Sequence, residues 1–229
     1  MHKTLVILTI PMMLIALYLT FVWSPEEAVM GIVQKIFYFH VASAWTAFLA
    51  FFIVFIYSIA FLITRKRYYD IVAGVSAEIG VVFTAIVLTT GPIWARSAWN
   101  TWWSWEPRLT TTLILFFIYL AYIMIRQMEG VWEKKARLAS VFGIIGFIDV
   151  PIVYMSIRWW RTKMHPIVFG EGIDQRGGGI EPEMMITLIF TLVTLTLVYV
   201  VLLQKGIYIE KAKIALIQWK EQLQEKIVR

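Results

Sequence analysis

The chain has 229 residues, 60% of them hydrophobic, with a mean hydropathy of +0.73 and a formal net charge of +6. Soluble domains are about 45–50% apolar, so the composition excludes one and points to a single-domain integral membrane protein. The lack of cysteine excludes disulfides, thiolate metal ligands, iron–sulfur clusters and thiol catalysis. A charge of +6 could suggest nucleic acid in a soluble protein; here its distribution along the chain sets topology instead, and no nucleic-acid partner is expected.

The apolar runs are continuous rather than alternating, which favours helices over a β-barrel. Each is about long enough to cross a hydrocarbon core of ~30 Å. The predicted spans are Thr4 to Val22, Phe37 to Ile63, Ile71 to Thr90, Leu109 to Ile125, Leu138 to Ile157 and Met184 to Leu203. The fold class is therefore an all-α integral membrane protein with six transmembrane helices. The first run has no small-residue cleavage site before Ser24-Pro25-Glu26-Glu27, so it reads as a retained helix rather than a signal peptide. Residues 1–203 form the six-span domain. Residues 204–229 form a cytoplasmic tail with Ala212, Leu216, Trp219, Leu223 and Ile227 at helical spacing. That tail reads as an amphipathic helix on the membrane or a continuation of the last span, with a partner-binding helix as the alternative.

Fourteen Lys and Arg residues fall on the side of the termini, including Arg65, Lys66, Arg67, Arg126, Lys134, Lys135 and Arg137. Seven fall on the other side: Lys35, Arg96, Arg108, Arg158, Arg161, Lys163 and Arg176. The positive-inside rule then makes both termini cytoplasmic. Between spans three and four lies the run Trp94-Ala-Arg-Ser-Ala-Trp99-Asn-Thr-Trp102-Trp103-Ser-Trp105, closed by Glu106-Pro107-Arg108. It is predicted to face outward as an interfacial segment. If a short helix forms between Pro92 and Pro107, Trp99, Trp102 and Trp103 share one face. An aromatic belt would also use tryptophan, but seven of the eleven tryptophans lie in or beside just two outer loops.

Three histidines exist, and charge counting places two of them, His40 and His165, on the tryptophan side. Either histidine alone could be an interfacial residue hydrogen-bonded to a neighbour. Two imidazoles make a poor structural zinc site, but on opposite faces of a planar macrocycle they would complete six-coordinate haem iron. Indole faces pack on a porphyrin, and Arg96, Arg108, Arg158 and Arg161 are candidates to pair with its propionates. Glu78 and Asp149 lie inside spans, where carboxylates are functional candidates by default.

The segment Trp99 to Thr110 resembles the tryptophan-rich signature of haem-handling proteins in cytochrome c biogenesis. With Tyr38-Phe39-His40-Val41, Trp159-Trp160-Arg161-Thr162-Lys-Met-His165-Pro166, the length and six spans, the chain is similar to the cytochrome c maturation protein C family. The resemblance implies a haem site at the outer face of the inner membrane. His40 and His165 would be axial ligands and the Trp94–Trp105 segment the platform, with Trp94, Trp99, Trp102, Trp103, Trp105, Glu106, Arg108, Arg96, Trp159, Trp160 and Arg161 around the cofactor. It further implies transient, non-covalent haem b, delivered to a periplasmic haem chaperone, with ATP-binding cassette subunits and a small single-span subunit as partners beside membrane lipid. Two positions depart from the family pattern: Glu106 replaces its usual Asp, and Asn100 replaces a common Gly. Asn tolerates unusual backbone angles better than most residues. The implied role is a carrier rather than an enzyme. The alternatives are a direct cytochrome c haem synthase, or a permease drawing on Glu78 and Asp149.

Overall fold

The computed structural model describes residues 2–27, 30–160 and 181–228. Six helices follow in chain order: α1 His2–Tyr18, α2 Ile36–Thr64, α3 Arg67–Trp99, α4 Pro107–Gln127, α5 Trp132–Trp160 and α6 Pro182–Val228. All six are long and apolar enough to cross a membrane, and no strand forms among the described residues. A π-helical turn, Leu19–Trp23, extends α1, and a 3-10 turn, Ile32–Lys35, leads into α2.

α2 and α3 form the central pair. α4 packs on α3 and α5 on α2, while α6 lies across both α2 and α3 with α1 against it. Helices in a bilayer gain little from apolar contact alone, so close approach and interhelical hydrogen bonds hold them together. Gly143 on α5 is such an approach, because a side chain there would meet Ser58 and Val54 of α2 at 2.9 Å. Beside it Tyr119 of α4 stacks on Phe51 of α2 at 3.7 Å and donates to the Gly143 carbonyl at 3.1 Å. Ser76 of α3 donates to the Ala50 carbonyl of α2 and shares a hydrogen bond with the Tyr199 hydroxyl of α6, both at 2.8 Å. The loop before α2 is pinned by Lys35, which donates to the carbonyls of Phe21 and Ser24 at 3.2 and 3.1 Å, and by the Ser24–Tyr38 hydroxyl pair.

One expectation needs correction. No separate interfacial helix forms between Pro92 and Pro107. α3 continues through Pro92 to Trp99, and residues 100–106 are non-helical. At 1.5 Å per residue its 33 residues reach about 50 Å, well beyond the hydrocarbon core. Hydropathy falls at Gly91, Pro92 and Arg96, but one missing N–H does not end a helix whose neighbouring turns stay hydrogen-bonded. α6 runs without a break past Leu203 into the tail, for 47 residues or about 70 Å, so of the readings given for the tail the backbone takes the continuation of the last span. Polar residues end a hydropathy window without ending the backbone ladder.

Candidate functional site

At the end of the bundle that carries the tryptophans, α2, α3, α4, α5 and α6 surround a cavity of about 840 Å³. Small-molecule sites are of the order of 300–1,000 Å³, mostly apolar, with a few polar groups that fix orientation. This cavity has that character. Its apolar wall includes Phe48, Leu88, Leu115, Ile157 and Leu192, and its polar groups include His40, Arg108 and Arg158. Trp45 spans from α2 to α6 along the wall, its indole N–H donating to Thr196 Oγ1 at 3.2 Å.

His40 lies one turn into α2 and faces the cavity. Its Nδ1 is 2.8 Å from Thr90 Oγ1 on α3, and its ring meets Trp94 edge-on at 5.8 Å. Trp94 is only 6% exposed, held between Phe37 at 5.9 Å and Trp99 at 5.9 Å, with its N–H on the Met30 sulfur at 3.4 Å. Nothing in the sequence motif marked Thr90. It stands fifty positions from His40, and only the α2–α3 packing joins them.

The tryptophan run divides in three dimensions. Trp94, Trp99 and Trp103 line the cavity, whereas Trp102 and Trp105 turn outward at 60% and 75% exposure. The expected shared face of Trp99, Trp102 and Trp103 is therefore absent. Trp99 ends α3, and the chain reverses at Asn100 with φ 56° and ψ 26°. Asn is among the residues that enter this left-handed region at low cost, so the position can do without glycine. Arg96 seals this helix end, donating to the Asn100 carbonyl and Oδ1 at 3.0 and 2.6 Å and lying over Trp102 at 6.0 Å. Arg96 does not line the cavity.

Glu106 occupies the N-cap of α4, before Pro107 at the first helical position. An acidic side chain there is favoured by the helix dipole, and the lining of the cavity does not include it. Arg108, one residue into that helix turn, does line it, as does Arg158 of α5, whose guanidinium lies 5.1 Å over Tyr154. Trp159 and Trp160 pack edge to face at 5.8 Å but are exposed outside the cavity. Arg161 and His165 lie outside the described residues. Neither Glu78 nor Asp149 touches the cavity: Glu78 is exposed on α3, and Asp149 is buried in α5 with Oδ2 lacking a hydrogen bond.

Two orphaned polar atoms mark this region. The Trp103 indole nitrogen and the Thr110 hydroxyl are buried with no hydrogen-bond partner. Buried donors normally find an acceptor, and one left unmade costs about 1–3 kcal/mol. A cargo with acceptor oxygens near Trp103 would satisfy the first. Indole faces, an imidazole and two guanidinium groups on an apolar cavity suit a flat, anionic, metal-bearing macrocycle, so the residues present fit haem.

A family model described as heme exporter protein C matches residues 1–220. A cytochrome c biosynthesis ccmC-like mitochondrial protein of Marchantia polymorpha is 36% identical over 171 residues, covering 75% of this chain and 71% of that protein. Heme exporter protein C of Bradyrhizobium diazoefficiens is 32% identical over 179 residues, 78% of this chain and 67% of that one. Heme exporter protein C of Escherichia coli K12 is 29% identical over 164 residues, 72% and 64% respectively.

Proposed function

Because the chain belongs to the heme exporter protein C family, we propose that it binds haem in the His40–Trp103 cavity and hands it on for the maturation of c-type cytochromes. The observation that carries this reading is the convergence of His40, Trp94, Trp99, Trp103, Arg108 and Arg158 on one cavity from four helices and the 100–106 segment. His40 ligates the iron from α2, and His165 supplies the second axial imidazole. The indoles of Trp94, Trp99 and Trp103 pack on the ring, and Arg108 and Arg158 pair with the propionates. The site stands at the periplasmic face of the inner membrane, with both termini in the cytoplasm, as the excess of Lys and Arg on the terminal side implies.

The protein is a carrier in this reading. It breaks no bond of the substrate, and transfer is an exchange of axial ligands, in which a group of the periplasmic chaperone replaces an imidazole of this chain. ATP-binding cassette subunits and a small single-span membrane subunit complete the assembly. The cargo is haem b, held non-covalently.

Purified protein titrated with haem tests the reading. The parent is expected to give a low-spin Soret band, and His40→Ala and His165→Ala should each shift or abolish it. A parent with no Soret band, or variants whose spectra match the parent, would refute haem ligation by these residues. Co-expression with an apocytochrome alone separates carrier from synthase, since covalent haem on the cytochrome would make the protein an enzyme.

A further inference from the structure

The hydroxyl of Thr90 has one proton and two close neighbours that could take it, with the Val87 carbonyl farther off at 3.5 Å. Its oxygen is 2.7 Å from the Ile86 carbonyl one turn back and 2.8 Å from His40 Nδ1. A carbonyl can only accept, and hydroxyl donation to the carbonyl four residues earlier is a common state of threonine in a helix. With its proton committed there, Thr90 Oγ1 can only accept from the histidine. Nδ1 of the neutral imidazole must then carry the ring proton, and the lone pair resides on Nε2. The ring is also held against α3 beyond this bond. Its Cε1 edge lies against Gly91, where a side chain would come within 3.4 Å, and Trp94 meets it edge-on.

We propose that Thr90 is the positioning residue of the iron-ligating histidine: it locks His40 in the Nδ1–H tautomer and presents Nε2 to the cargo iron. This rests on the reading that His40 ligates haem. The choice of partner also has a consequence. A carboxylate on the far nitrogen raises the basicity of a ligating imidazole and strengthens its bond to the metal. A neutral hydroxyl accepts the same proton more weakly, so it orients the ring with only a small part of that gain. The iron–imidazole bond is thereby kept exchangeable, as a protein that must surrender its cargo requires.

The experiment uses the full chain in lipid nanodiscs, titrated with haem, with apomyoglobin as the scavenger for release rates and the reduction potential of the bound haem as a second readout. Thr90→Val should weaken haem binding by about 10–100-fold, the usual cost of losing an outer-shell partner, and raise the potential. Thr90→Ser should restore parental affinity and potential. Thr90→Asp should shift the potential the opposite way, downward, and slow release to apomyoglobin. His40→Ala is the reference. If His40→Ala loses binding while Thr90→Val keeps parental affinity, potential and release rate, Thr90 has no such role although His40 is a ligand. Equal defects in Thr90→Val and Thr90→Ser would also overturn the proposal, since the hydroxyl would then not be the cause. If His40→Ala keeps the parental spectrum, the ligand assignment itself fails and the inference with it.

Discussion

The two ends of the bundle treat buried polar groups in opposite ways. At the end away from the tryptophans, Asp70 of α3 is 3% exposed and fully engaged. It accepts from both terminal nitrogens of Arg126 on α4 and from the Trp132 indole of α5 at 2.8 Å. Arg67 stacks over Trp132 at 5.0 Å, and Arg126 lies 5.8 Å over Tyr122. Three helices are tied by one carboxylate, and little room remains, since a side chain at Gly74 would strike the Arg126 guanidinium at 2.6 Å. At the tryptophan end, arginines and an imidazole line an 840 Å³ cavity, and the Trp103 donor has no acceptor. A polar network that closes on itself stabilises a fold, whereas one that faces a cavity with donors to spare is built for something else to complete it.

That contrast can be broken, and the largest effect is expected at the closed end. Asp70→Ala leaves the Arg126 guanidinium without its partner, and losing one half of a buried pair costs about 3–5 kcal/mol. Thermal unfolding in detergent should show a sharply lower midpoint, while haem affinity of the surviving folded fraction stays parental. Arg108→Gln should do the reverse. Charge-assisted hydrogen bonds are worth about 1.5–3 kcal/mol, so haem binding should weaken roughly ten- to a hundredfold with the unfolding midpoint nearly unchanged. Haem dimethyl ester, which lacks the carboxylates, should bind parent and Arg108→Gln alike; a defect that persists with the ester would assign Arg108 a packing role instead. Trp103→Phe removes a donor but keeps an aromatic face, and about 1 kcal/mol for one hydrogen bond predicts a loss of affinity of several-fold by the same titration. Trp105→Phe, on an exposed ring outside the cavity, should leave both affinity and midpoint within error. A Trp105 effect as large as that of Trp103 would mean the outward-facing tryptophans also contact cargo.

The number of helices was legible from hydropathy because a stretch without charge has nowhere else to go than the bilayer. Their ends were not. α3 outlasts its expected end at Thr90 by nine residues, because backbone hydrogen bonding ignores the side-chain polarity that closes a hydropathy window. This error also hid the shape of the tryptophan run. A short helix between Pro92 and Pro107 would have put three tryptophans on one face; the turn at Asn100 sends Trp103 inward and Trp102 outward. For the arginines, one linear sequence could nominate candidates at the tryptophan end of the bundle but could not sort them. Arg96 is spent on the end of α3, while Arg108 and Arg158 reach the cavity.

By itself the sequence determined the class of protein, the six spans and the grouping of the tryptophans with His40 at one end of them. These follow from transfer energies and charge, which are properties of residues taken one at a time. Tertiary structure decided which tryptophans face inward, which arginines serve the cavity, and that Asp70, Arg126 and Trp132 lock the opposite end. It also brought Thr90 to His40 across fifty residues. Such pairings depend on helix rotation and close approach, and no local pattern encodes them, because the partners of a buried polar group are chosen by packing and not by neighbourhood in the chain.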